Sequence, residues 1–272
     1  MEQVRYELLD EGTIAVVTLA RPQKRNAQSR RMTAELNEAF TEAARDDTVK
    51  VIVLAGDGPH FSAGHDMSDT EDFAYPPVFT EGSPDRFGAQ GLMAYETEVY
   101  LSMCRRWHDI PKPTIAAVQG RTIAGGLMLM WVCDLIVASD DATFSDPTVG
   151  FGVNGVEWFC HPWELGIRKA KELLFTGDDI GAEEARQLGM VNHVVAREEL
   201  TDFTLALARR IAQRPAFPLK LAKLAVNQAL DAQGFQVAQQ AAFSLQHVGH
   251  AHTHSLRLRK KLQGADPGPH DG

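Results

Sequence analysis

Residues Gly120–Asp134, GRTIAGGLMLMWVCD, place two adjacent glycines, Gly125 and Gly126, where a strand hands over to an apolar helix. The first turn of a helix has N–H groups that find no partner inside the helix. Glycine lets another group come close to that backbone, and the helix dipole adds partial positive charge at the same point. Such a point suits a carbonyl oxygen about to become negative. Taken alone, a Gly-Gly pair reads as a tight turn feeding a buried helix. A second stretch, Phe61–Met67, FSAGHDM, is another small-residue turn behind a strongly apolar strand. Two such turns can each offer one N–H to a single oxyanion.

Outward from the glycine turn, Thr114–Val118 reads as the strand leading in and Asp134–Ala138 as the strand leading out. Upstream, Val4–Leu9 and Thr13–Leu19 read as two strands about the turn Asp10–Gly12. Arg21–Arg25, RPQKR, is a basic loop, either a solvated turn or a contact for a phosphate-bearing ligand. Ser29 can cap a helix running to about Asp46, in which Met32, Leu36, Phe40 and Ala43 recur at helical spacing. Val49–Ala55 is apolar on both faces, as in a buried strand. Ser68–Gln90, with Pro76, Pro77, Pro84, Gly82 and Gly88, has little periodicity and reads as a lid that orders on ligand binding. A helix over Gly91–His108 is closed by Pro111 and Pro113.

Downstream, Ala142–Gly155 is loop-rich. Helices are expected at Trp158–Leu165, Arg168–Phe175 and Ala182–Leu188, and a last strand at Val191–Val195. From Glu198 the chain reads as helical, with further helices over 218–230 and 235–250. Strands and helices that alternate first and give way to helices predict an α/β fold. The expected organisation is a core over residues 1–200 and a helical region over 201–272.

Composition narrows the function. The 272 residues are 44% hydrophobic and 23% charged, as in an ordinary globular protein. A formal net charge of −9 argues against nucleic acid as a partner, since that needs a basic face. Cys104, Cys133 and Cys160 fit no metal spacing and suit a reducing compartment. No apolar run is long enough to span a membrane, and MEQVRYELLDEG lacks the marks of a leader. A cytoplasmic enzyme or binding protein is the expectation.

RPQKRNA, FSAGHDM, PKPTIAAVQG, the glycine turn, CDLIVAS and ARQLGMVNHVV together resemble the crotonase superfamily, the enoyl-CoA hydratase/isomerase family. The resemblance runs from about residue 5 to about 260. It implies a spiral of strand–strand–helix turns followed by a helical C-terminal region that forms trimers, often paired into hexamers. The implied ligand is an acyl-CoA thioester, with coenzyme A as part of the substrate and no separate cofactor or metal. By position, the two oxyanion N–H groups belong to His65 and Gly125. Arg25, Ala27, Ala63, Asp66, Met67, Met128, Thr148 and Phe151 fall at positions implied to line the substrate site, although Asp66 also reads as a carboxylate that organises its own turn.

The departures from the family pattern point further. Its hydratases use two glutamates as acid and base; here Met128 and Thr148 stand at those positions, and neither can shuttle protons near neutral pH. Glu157 is the expected replacement, with Asp146, Glu96 and Glu98 as other nearby carboxylates. The FSAGHD, KELLFTG and VNHVV stretches are also similar to the family's methylmalonyl-CoA decarboxylases, which carry a histidine where His65 stands. A decarboxylase or other lyase, and a non-catalytic acyl-CoA binding protein, are the alternatives. His247, His250 and His254 lie at i, i+3, i+7 and could present imidazoles to a metal. With no acid or cysteine completing a set, they read as a polar interface face.

Overall fold

The computed structural model describes residues 1–69 and 88–252, together with Arg257 and Lys261. In chain order the elements are β1 (Val4–Leu9), β2 (Ile14–Leu19), α1 (Arg30–Arg45), β3 (Val51–Gly56), α2 (Ala89–Glu96), α3 (Met103–His108), β4 (Thr114–Val118), β5 (Arg121–Ile123), α4 (Gly125–Trp131), β6 (Leu135–Ser139), β7 (Thr143–Ser145), α5 (His161–Thr176), β8 (Ile180–Gly181), α6 (Ala182–Leu188), β9 (His193–Val195), α7 (Leu200–Ala212), α8 (Ala216–Ala232) and α9 (Phe235–His250). The expected lid, Ser68–Gln90, falls almost entirely on residues 70–87, outside the described residues.

Six strands form one sheet in the order β1-β2-β3-β4-β6-β9. The β1–β2 hairpin is antiparallel, and every later pairing in this sheet is parallel. Parallel strands need crossovers, and helices supply them, so both faces are covered. One face packs Leu19, Ile52, Leu54 and Ala116 against Leu36 and Phe40 of α1 and Leu129 of α4. The other packs Ile14, Val51, Val53, Ile115 and Val137 against Leu200, Leu207 and Ala208 of α7. Burial on both faces explains why VIVL in β3 shows no alternation. The expected division at residue 200 therefore coincides with the start of a helix that packs on the core sheet.

Local chemistry sets the element ends. Ser29 caps α1, its Oγ accepting from Met32 N at 3.1 Å. Buried Glu35 accepts from the N–H groups of Gln3 and Val4 at 2.7 and 2.9 Å, fixing the start of β1. Two expectations are corrected. A second, three-stranded sheet, β5-β7-β8, was not expected, and its strand β7 lies in the segment Ala142–Gly155 read as loop-rich; strands of two or three residues are too short to show a period. The helices read at Trp158–Leu165 and Arg168–Phe175 are the two halves of α5, separated as expected by a non-helical Gly166 (φ 73°, ψ 156°), but the first starts at His161 and not at Trp158. Between α2 and α3, Thr97–Ser102 is π-helical, so the run from Ala89 to His108 is continuous but locally widened.

Candidate active site

The two glycine-bearing turns meet. The basic loop after β2 holds the first of them: Ala63 N donates to Arg25 O at 2.9 Å and Gln28 N to Gly64 O at 2.7 Å. Asn26, buried at φ 51°, clamps the same region, its Nδ2 donating to the carbonyls of Asp57 and His60 at 2.9 and 3.0 Å. Gly64 lies at φ 84°, and a Cβ there would stand 2.7 Å from Ile123 O and 3.1 Å from Gly125 N. At Gly125 a Cβ would stand 2.7 Å from both Cδ2 and Nε2 of His65. Glycine is needed at Gly64 because the two backbones touch there, and at Gly125 because the His65 ring lies against the backbone. Among the described residues, neither the His65 nor the Gly125 backbone N–H donates a hydrogen bond. Ala124, just before α4, takes φ 45° and ψ −115°, a non-glycine in a sparsely populated region; such conformations concentrate at functional sites.

The His65 imidazole lies flat against Tyr100, ring centroids 4.1 Å apart at 12°. Tyr100 sits in the π-helical stretch, the kind of local widening that often marks a working part of a helix. On the far side, His65 Nε2 stands 3.8 Å from Glu157 Oε2. Glu157 is 4% exposed. Burial pushes its carboxyl above the usual range; His65 pulls it down and Glu96 adds to the rise. The pair therefore places a carboxyl of raised proton affinity beside the turn of Gly125.

The other predicted residues divide into two groups. Arg25 and Ala63 line a cavity of about 330 Å³ together with His60, Arg121 and Ile123, an opening with two cationic side chains beside the FSAGHDM turn. Ala27 is half-buried, and its carbonyl accepts from Arg21 Nη1 at 2.9 Å. The Asp66 carboxylate is taken by Arg21 at 2.6 Å and by Ser68 N and Oγ at 3.0 and 2.6 Å. Burial raises its pKa, but Ser68 and Arg21 outweigh that and hold it below the usual range; this carboxylate organises its turn. Met128 is 1% exposed within α4, and Met67 and Phe151 are largely exposed. Thr148 N donates to Asp146 Oδ1 at 3.1 Å, while Thr148 Oγ1 is buried without a hydrogen bond.

Sequence reasoning passed over two residues, and for a third, Glu96, it missed the partners. Tyr100, which stacks on His65, carries no motif. His161 is fully buried with its Nε2 2.8 Å from Asp146 Oδ2, also fully buried. Burial pushes the Asp146 carboxyl up, and the His161 contact and Thr148 more than offset it, so it stays below its ordinary value. That pair anchors the turn Pro147–Phe151 to the start of α5. The third is Glu96: His247 Nε2 and His250 Nε2 of α9 approach its Oε2 at 3.5 and 3.1 Å. The missing acid of the histidine face is supplied by a residue 154 positions away from His250. His254 lies outside the described residues.

Among the described residues, no helix is long and apolar enough to cross a membrane. Residues 10–260 match the enoyl-CoA hydratase/isomerase family. A crystal structure of a probable enoyl-CoA hydratase from Mycobacterium smegmatis superposes with a TM-score of 0.84 at 49% identity, covering 92% of this chain and 96% of its own. The Mycobacterium tuberculosis protein EchA13, whose name places it among the enoyl-CoA hydratases, is 46% identical over 260 residues, 92% of this chain and 81% of its own. An enoyl-CoA hydratase/isomerase from Xanthobacter autotrophicus Py2 is 30% identical with a TM-score of 0.79, covering 96% of this chain and 95% of its own.

Proposed function

The chain belongs to the enoyl-CoA hydratase/isomerase family, and from that premise we propose that it moves a proton next to an acyl-CoA thioester using Glu157 alone, without the two-glutamate hydration. The observation that carries this reading is the meeting of the two turns at His65 and Gly125 with Glu157 close by. Removing a proton beside a thioester carbonyl puts charge on its oxygen. Two preorganised N–H donors lower the energy of that enolate, and one such donor is worth ~10²–10³ in rate. Glu157 takes the proton and can return it to another carbon of the same acyl chain. Its raised pKa suits a group that must both accept and release a proton.

Hydration needs a base for water and an acid for carbon. Met128 is packed in the core and Thr148 has only a hydroxyl, so neither supplies that second group. The cavity lined by Arg25, Arg121 and His60 is assigned to the phosphates of coenzyme A. A second reading has its own observation: His65 Nε2 is buried without a hydrogen bond and borders the same turn. An imidazole there can hold a carboxylate on the acyl group, as decarboxylation of a malonyl-type thioester would need. The test is product analysis with a panel of acyl-CoAs that includes enoyl, 3-enoyl and malonyl-type thioesters. Double-bond migration is expected, with crotonyl-CoA hydration slow. Fast crotonyl-CoA hydration that persists in Glu157→Gln overturns the proposal, and carbon dioxide release transfers it to the second reading.

A further inference from the structure

Glu96, His247 and His250 bring their ligand atoms within 4.8 Å of one another. Each side chain is at most 9% exposed. The two imidazoles stand one turn apart on α9, and the carboxylate comes from the end of α2, far away in the chain. Both Nε2 atoms address the same oxygen, Glu96 Oε2, at 3.1 and 3.5 Å. A simple ion pair would need only one of them. Two nitrogens and one oxygen around a zinc ion at ~2.0–2.1 Å each would stand about 3.3 Å from one another in tetrahedral geometry. The two measured separations bracket that value. Phe243 packs edge-on against the His247 ring at 4.6 Å, so the site has an apolar wall that holds one imidazole in orientation.

We infer that Glu96, His247 and His250 form a binding site for a first-row divalent cation, zinc being the best match, that ties α9 to the end of α2. Two imidazoles with one carboxylate are a borderline-hard donor set that suits zinc or cobalt and not magnesium or calcium, which prefer all-oxygen shells. Among the described residues three protein ligands come together, and tetrahedral zinc takes one more. The site shares no ligand with the acyl-CoA reading above, although the Glu96 charge bears on the Glu157 carboxyl.

The experiment is zinc titration of the chelator-dialysed full chain by calorimetry, with cobalt substitution read by visible absorption. One ion per protomer and a tetrahedral cobalt spectrum are expected. Glu96→Gln, His247→Asn and His250→Asn should each weaken zinc binding by more than the ~10–100-fold that an outer partner of a ligand is worth. His193→Asn, on β9, should leave zinc affinity unchanged. Circular dichroism checks that each variant folds. If the α9 variants do not fold, the ¹⁵N shifts of the His247 and His250 rings in the unmodified chain decide, and both should move on adding zinc. Absence of stoichiometric zinc binding overturns the inference, as does binding that survives the three substitutions or leaves both ring signals in place.

Discussion

Glu157, the proposed acid–base group, is buried beside His65, and that environment makes two separate predictions. Glu157→Gln removes the carboxyl that stands 3.8 Å from His65, so turnover should fall ~10²–10⁴-fold while acyl-CoA binding stays; a loss of binding in equilibrium dialysis would contradict this. The second concerns stability. Burial raises the folded-state pKa of Glu157, so the folded chain holds that proton more tightly than the unfolded one. Its contribution is complete below the unfolded value and is lost as pH rises through the folded value. Gln mimics the protonated form. The Tm of Glu157→Gln should match the parent near about pH 4 and exceed it at about pH 8, which a pH series of thermal melts would check. Gly125→Ala pits two effects against each other. Alanine is favoured in a helix by ~0.8–1.0 kcal/mol, but its Cβ would enter the His65 ring, and overpacking costs ~1–3 kcal/mol. The ring is pinned by Tyr100 behind it, so the clash wins. The variant should unfold at lower urea concentration and lose ~10²–10³ in kcat as the donor shifts.

Elements position these residues, and the sequence was legible to the degree that each element is long enough to show a period. The β1–β2 hairpin, α1 with its Ser29 cap, β3, β4 and α7 fall where the apolar spacing puts them. The second sheet does not, because its strands pair across the chain and follow no local pattern. The meeting of FSAGHDM with the glycine turn could be read from chemistry, since both are small-residue turns behind apolar strands. The Glu96 and His161 contacts could not, because each depends on a partner brought in by the fold. The turn Pro147–Phe151 illustrates the cost of missing one. Asp146 N-caps it and is held in turn by His161, both fully buried. Replacing His161 by Leu leaves the carboxylate buried without its partner, and breaking such a pair costs ~3–5 kcal/mol. Urea unfolding of His161→Leu should show a loss of that size, whereas a change under ~1 kcal/mol would mean that Asp146 finds another donor.

At the scale of the whole molecule, α8 has no buried residue and α9 is buried along one stripe only. The stripe of α9 formed by Gln239, Ala242, Phe243, Gln246 and His250 is buried against the core. Val237, Leu245 and Val248, at i, i+8 and i+11 on another face, are 76%, 61% and 69% exposed. On α8, Phe217 and Val226 are 68% and 69% exposed. Scattered exposed apolar residues are ordinary, but a stripe at helical spacing on two neighbouring helices fits an interface. Fully burying one such side chain yields ~1.5–3 kcal/mol, and association costs ~4–15 kcal/mol. One contact between two copies is thus near balance. Ring closure, in which every protomer both gives and receives a contact, is what makes assembly stable. A trimer, or a hexamer of two trimers, is therefore proposed for the region after residue 200. Light scattering at micromolar concentration should return a mass of three or six protomers. Leu245→Glu with Val248→Glu should bring it down to one, because each protomer would then bury two unpaired carboxylates at the seam. A stable monomer of the unmodified chain under those conditions would remove the assembly from this account and leave the α8–α9 face to another partner.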